Sequence, residues 1–195
     1  MQKIISELKE LIKVYKQKDP AASSTALILL TYPGIHAVAI YKISNKLWRK
    51  KMHFLARVLS QIARAMTGIE IHPGATIGKR LFIDHGIGIV IGETSVIGND
   101  VIMFHQVTLG GTGKHLGKRH PTIKNNVMLS AGSKIIGSVV VGENSRVGAN
   151  AVILGDVPEN ATVVGCPARI VKLNGEKVDI PIKSKTNIGK KNMLK

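Results

Sequence analysis

Cysteine is almost absent. Of 195 residues only Cys166 carries a thiol, which excludes a disulfide scaffold, leaves no CxxC pair or zinc quartet, and fits a reducing compartment. Aromatic residues make up 4%, and acidic residues are scarce, 12 against 28 basic, for a formal net charge of +16. Such a balance invites anionic partners. The basic side chains are nevertheless scattered and hardly interleaved with aromatics, which argues against base stacking and a nucleic-acid surface. Long apolar runs are missing too: Ala26 to Leu30, the longest near the start, follows a charged segment and is too short for a signal peptide or membrane span. With 44% hydrophobic residues, the chain reads as a soluble cytoplasmic protein able to bury a core.

Glycine, in contrast, is plentiful, with 20 residues, all but Gly34 spread from Gly68 onward instead of gathered in one linker. An aliphatic residue recurs every six positions at Ile71, Ile77, Ile83 and Ile89. After a slip of two it continues at Ile91, Ile97, Met103 and Leu109, and after an interruption at Ile123, Leu129, Ile135, Val141, Val147 and Ile153. Glycine often follows, as in Ile77-Gly78, Ile97-Gly98 and Val141-Gly142. Six is neither the helical period nor that of a simple hairpin sheet. It suits a coil with three short faces, each hexapeptide supplying one face and one corner, with glycine accepting unusual backbone angles or close packing at the corners. This is a parallel β-helix. At about eighteen residues per coil, residues 71–154 make roughly four and a half coils, rising about 4.8 Å each.

Ahead of the coil the pattern is helical. Ile4, Ile5, Leu8, Leu11, Ile12 and Tyr15 form an i, i+3, i+4, i+7 stripe that Asp19-Pro20 ends. A second helical stretch starts near Ser23 and breaks at Tyr32-Pro33-Gly34, and a long basic one runs from Ile35 to Ala65 before Thr67-Gly68 closes it. Residues 1–68 therefore form a helical region, 69–171 the coil, and 172–195, poor in large apolar residues, a mobile basic tail.

Chemistry is expected where the repeat is violated, because a regular rung needs no exceptions. Gly110 to Pro121, GGTGKHLGKRHP, reads as an extruded loop, although its length leaves open whether one or two hexapeptides are hidden in it. The other exception, Asp84-His85-Gly86, puts two polar groups between Ile83 and Ile87.

The runs IEIHPGATIGKRLFIDHGIGIVIGETSVIG, VTLGGTGK, KRHPTI and GCPARIV resemble serine O-acetyltransferases over about residues 19–172. The hexapeptides and the GxPAR ending mark the acyltransferase superfamily; DHGIGIVIGE with GGTGK and Arg-His-Pro is narrower. The resemblance implies a left-handed β-helix, a homotrimer with active sites between neighbours, or a pair of such trimers, and direct acetyl transfer from acetyl-CoA to serine without a resident cofactor or metal. It makes His85 the general base, since an imidazole with an ordinary pKa near 6.5 can take the hydroxyl proton. Glu70 matches the position of its orienting carboxylate, where aspartate is common. Asp19 and Asp84 match residues holding the serine ammonium, Arg119 the one holding its carboxylate through a bidentate fork, and His120 completes the pocket. Gly110, Gly111, Thr112, Ala131 and Ala149 match the pantetheine groove, with Lys134 near the phosphates. Cysteine is the implied feedback inhibitor. The family's complex with the sulfhydrylase that makes cysteine uses a terminal isoleucine, and the ending Asn192-Met193-Leu194-Lys195 argues against it here.

Rival readings start from the same residues. An acetyltransferase for a sugar or xenobiotic hydroxyl needs the coil and a histidine but no clamp for a zwitterion. A zinc enzyme of the β-helical carbonic anhydrase type needs three histidines, for which His85, His115 and His120 are the candidates. His72, beside Pro73-Gly74, and Cys166 read as structural; His36, His53 and His105 carry no assignment.

Overall fold

The six-residue period becomes a three-sided prism in the computed structural model, which describes residues 2–113 and 116–185. Thirteen short strands, β1 (Glu70–Ile71) to β13 (Val152–Ile153), take the three faces in turn. Face 1 stacks β1, β4 (Val90–Ile91), β7 (Thr108–Gly110), β10 (Lys134–Ile136) and β13, face 2 stacks β2 (Thr76–Ile77), β5 (Val96–Ile97), β8 (Thr122–Ile123) and β11 (Val140–Val141), and face 3 stacks β3 (Phe82–Ile83), β6 (Ile102–Met103), β9 (Met128–Leu129) and β12 (Arg146–Val147). Pairing along these ladders is parallel, and the hexad aliphatics are their registers. Ile71, Ile91, Leu109, Ile135 and Ile153 lie over one another on face 1. Ile77, Ile97, Ile123 and Val141 do so on face 2, and Ile83, Met103, Leu129 and Val147 on face 3. Apart from the half-buried Ile77, these are the buried axis of the molecule, each contributing about 1.5–3 kcal/mol by leaving water.

Coil length varies in three places, the last being the final coil, where Val147 pairs with Val163 only sixteen residues on. Ile71 pairs with Ile91, twenty residues on, whereas Ile91 pairs with Leu109, eighteen on. Ile97 pairs with Ile123, so the segment between Leu109 and Ile123 is one hexapeptide plus eight extruded residues. The glycines after the aliphatics serve close packing and not backbone freedom. A Cβ on Gly98 would stand 2.8 Å from the amide nitrogen of Asn125, with no positive φ involved. The left-handed residues at the corner between faces 2 and 3 are Arg80, Asp100, Asn126, Asn144 and Asn160, among which Asn and Asp tolerate that conformation best.

The helical region differs from its expected layout. The stretch expected as one helix from Ile35 to Ala65 is two, α3 (Pro33–Arg49) and α4 (His53–Thr67), because Lys51 adopts φ 62° between them. Before them come α1 (Gln2–Lys18) and α2 (Thr25–Thr31), the latter capped by Ser24, whose hydroxyl accepts from the Leu27 amide. Among the described residues no single helix is long and apolar enough to cross a membrane; only α2 and α3 together, bent by 70°, reach that composition. Two tyrosines pin the helices to the first coil. The Tyr15 hydroxyl donates to the Ile83 carbonyl at 2.9 Å, and Tyr41 donates to Ala75 at 2.6 Å.

The tail expected to be mobile from Lys172 is instead built into face 3 as far as it is described. Here β14 (Ala161–Val164) adds in parallel to β12, and β15 (Arg169–Leu173) and β16 (Glu176–Pro181) continue as an antiparallel ribbon. Asn174 (φ 49°) and Gly175 (φ 90°) make the tight turn, the Asn-Gly pair that suits a two-residue hairpin. Cys166, expected to serve packing, is exposed in the turn between β14 and β15. The terminal sequence weighed against a sulfhydrylase complex lies outside the described residues.

Candidate active site

The extra length of the first coil is two residues, and the ladder identifies them. The Asp84 amide donates to the Met103 carbonyl at 2.9 Å and the Gln106 amide to the Ile87 carbonyl at 2.8 Å. Asp84 thus sits opposite Phe104 and Ile87 opposite His105, leaving His85-Gly86 unmatched. Both take left-handed backbone, φ 58° and 81°. Glycine is required at 86, because a Cβ there would lie 2.4 Å from Ile69 Cδ1. The result is a bulge at the corner between faces 3 and 1 that pushes the His85 imidazole outward, its side chain 73% exposed.

The helical region closes this corner into a pocket of ≈ 340 Å³ lined by Asp19, Ala21, Thr31, Tyr32, Pro33, Ile83, Asp84 and His85. Three expected site residues, Asp19, Asp84 and His85, are therefore brought together although 65 positions separate Asp19 from Asp84. Tyr32, which sequence reasoning missed, donates from its hydroxyl to Asp19 Oδ2 at 2.6 Å, while the Ala21 amide donates to Oδ1 at 2.8 Å. That tyrosine hydrogen bond, and then the Ala21 amide, hold the Asp19 carboxyl below the ordinary carboxylate range. On the other side the Tyr32 phenol is pushed up to about 12 by Asp19. Asp84 Oδ1 stands 3.7 Å from His85 Nε2, within ion-pair range but longer than a hydrogen bond.

Glu70 is not joined to His85. Among the described residues its carboxylate partner is Arg64 Nη1 on α4, at 3.4 Å. The reason is local, because β1 follows directly on α4 and places Glu70 beside that helix's last turn. Among the described residues Glu70 thus makes no contact that would orient His85.

Arg119 and His120 occupy a different corner, between faces 1 and 2, where the extruded loop rejoins the coil. His120 is buried: Thr94 Oγ1 is 2.9 Å from its Nδ1, and a Cβ on Gly92 would fall 2.0 Å from its ring. Desolvation holds its pKa below that of a free imidazole, with nearby Arg119 adding to the effect. Arg119 donates through Nη2 to Glu93 Oε2 at 2.5 Å. Burial raises the Glu93 pKa, but the Arg119 hydrogen bond and the surrounding cationic groups outweigh it and leave the carboxyl low. Glu93, the last residue of DHGIGIVIGE, and Thr94 after it hold the pair and carried no separate signal in sequence. His72 lies at the same corner as a packed residue, accepting from the Gly74 amide and set edge-on to Trp48.

The coenzyme residues split as well. At the corner between faces 3 and 1 the Gly132 amide donates to the His105 carbonyl at 3.0 Å and the Asn150 amide to the Ala131 carbonyl at 2.9 Å. Ile87, His105, Ala131 and Ala149 therefore stack at one position on successive coils. Lys134 closes this edge, its Nζ donating to the carbonyls of Gln106 and Gly132. Gly110 ends β7 at the opposite edge of face 1, and Gly111 and Thr112 lead into the loop. Of the three histidines weighed as zinc ligands, His85 and His120 lie at different corners and His115 falls outside the described residues. No group of three or more metal-ligating side chains is assembled among the described residues.

Known proteins resemble this chain in sequence and in fold. Residues 120–155 match the bacterial transferase hexapeptide (six repeats) family. The chain is 56% identical to the serine acetyltransferase of Bacillus subtilis across 88% of its own length and 79% of that protein, and 56% identical to that of Helicobacter pylori across 80% and 91%. A soybean serine acetyltransferase complexed with serine superposes with a TM-score of 0.84 at 42% identity, covering 88% of this chain and 70% of that one. A serine acetyltransferase complex with cysteine scores 0.86 at 43% identity (90% and 69%), and one with CoA 0.82 at 43% (86% and 70%). With relatives this similar over this much of its length, and with hexapeptide faces wound as a left-handed parallel β-helix behind a small helical region, the chain belongs to the serine acetyltransferase family.

Proposed function

We propose that the protein transfers the acetyl group of acetyl-CoA to the hydroxyl of L-serine, in the cytoplasm, as an early step toward cysteine, with acetyl-CoA as co-substrate and no resident cofactor. The carrying observation is the shared pocket of Asp19, Asp84 and His85 at the two-residue bulge. Serine is a small zwitterion, so its site needs carboxylates for the ammonium and a cation for the carboxylate. Asp19, fixed by the Tyr32 hydroxyl, supplies the first requirement together with Asp84. His85 accepts the hydroxyl proton as the oxygen attacks the thioester carbon, and returns that proton to the departing CoA thiolate. A sugar or xenobiotic alcohol carries no ammonium and has no use for the paired carboxylates.

The cation and the general base lie on different corners of one prism, and this separation supports a homotrimer. Three prisms packed side by side about a threefold axis bring the Arg119–His120 corner of one copy against the His85 corner of the next. The groove of Ala131 and Ala149 then faces Gly110–Thr112 of a neighbour across the same cleft, with Lys134 near the phosphates. Cysteine, which differs from serine at one atom, fits the same clamp and acts as a competing inhibitor.

The test is thiol release from acetyl-CoA with serine, homoserine, sugars and chloramphenicol as acceptors. Serine is expected to be preferred, and His85→Ala to lower turnover at least about a hundredfold. Preference for a sugar or chloramphenicol, or unchanged turnover in the variant, would overturn the reading.

A further inference from the structure

The ladder at the catalytic corner runs Ile87, His105, Ala131, Ala149, and His105 is its polar member. Its ring stands edge-on to His85 with centroids 6.0 Å apart, at 78°. Its Nδ1 is enclosed by the coil and has no hydrogen-bond partner among the described residues. A proton on Nδ1 would be a buried donor without an acceptor, which costs about 1–3 kcal/mol. The imidazole N–H therefore belongs on Nε2, which is not enclosed. The chain thus presents two imidazoles side by side, one exposed on the bulge and one fixed in the wall, next to two alanines whose small side chains leave room for a ligand.

We propose that His105 is a second catalytic residue, whose Nε2–H donates to the thioester carbonyl oxygen while His85 removes the serine proton. This rests on the acetyl-transfer reading of the corner. The serine oxygen bonds to the carbonyl carbon, the carbonyl π pair moves onto oxygen, and that oxyanion accepts the hydrogen bond from His105. When the pair returns, the C–S bond breaks and the thiolate takes the proton that His85 carries, leaving O-acetylserine and free CoA. A donor fixed in place before charge develops stabilises the transition state more than the ground state, so its effect falls on kcat and not on KM.

The experiment measures kcat and both KM values by thiol release for wild type, His105→Leu, His105→Gln and His85→Ala, alongside melting temperatures. His105→Leu removes the donor and is expected to lower kcat about a hundredfold, the scale of one lost oxyanion donor, with both KM values within about twofold. His105→Gln restores an N–H and is expected to recover at least about tenfold of that loss. Should the leucine variant fail to fold, His105→Met carries the same loss of donor on an unbranched chain. Wild-type turnover in the leucine or methionine variant, a glutamine variant as slow as they are, or an effect confined to KM would each overturn the proposal. Wild-type turnover in His85→Ala would instead overturn the general-base assignment, so the two failures are distinguishable.

Discussion

Asp19 shows how one hydrogen bond prepares a substrate group. Half-buried in the pocket wall, it owes its low pKa first to the Tyr32 hydroxyl and then to the Ala21 amide. Tyr32→Phe removes the first and returns the carboxyl toward its ordinary value. The KM for serine should rise several-fold because the carboxylate loses the contact that orients it, with little change in the KM for acetyl-CoA, as initial rates will show. Arg119→Ala belongs to the same scale: loss of a charge-assisted contact worth about 1.5–3 kcal/mol should raise the serine KM about tenfold or more and spare acetyl-CoA. His72 acts on stability instead. Burial, and then the charge of Arg57, push its pKa down to about 4 from 6.5, with Glu93 opposing and His120 and Arg119 adding smaller repulsions. As pH falls through that window the unfolded chain gains a proton that the folded ring refuses, so stability present above pH 6.5 is lost toward pH 4. His72→Gln should flatten that part of the curve of melting temperature against pH.

At the scale of elements, the prism was legible because its period is written in single residues. Every aliphatic from Ile91 to Ile153 in the series lands in a buried ladder position. Ile89, also in the series, is buried but closes the bulge instead of joining a strand. The purpose of the following glycines was less legible, since composition does not distinguish backbone freedom from contact. Because Gly98 lies against the Asn125 backbone, Gly98→Ala should destabilise by about 1–3 kcal/mol through overpacking, read as a lower denaturation midpoint. The break between α3 and α4 left no glycine or proline to mark it; Lys51 alone reverses the chain. The terminal hairpin did leave its mark in Asn174-Gly175, hidden within a segment otherwise read by its charge.

For the whole molecule, the separation of His85 from Arg119 makes a prediction that no single prism can satisfy. His85→Ala lacks the base and Arg119→Ala lacks the clamp, so each is slow at low serine. If neighbouring copies share each site, unfolding and refolding an equal mixture should restore about one quarter of wild-type activity, the random chance that a site draws both intact residues. Sites confined to one chain would show no recovery beyond the sum of the separate variants.

The linear order of residues was enough to establish the coil, the place where it swells, and the histidine at that swelling, because each is a statement about spacing along one chain. It could not say that Glu70 turns to Arg64, that Tyr32 grips Asp19, or that His105 comes to rest beside His85. Those contacts join residues from different helices and different coils. Their distances depend on how α1 to α4 dock on the first coil and on how many residues each corner consumes, quantities set by packing in three dimensions.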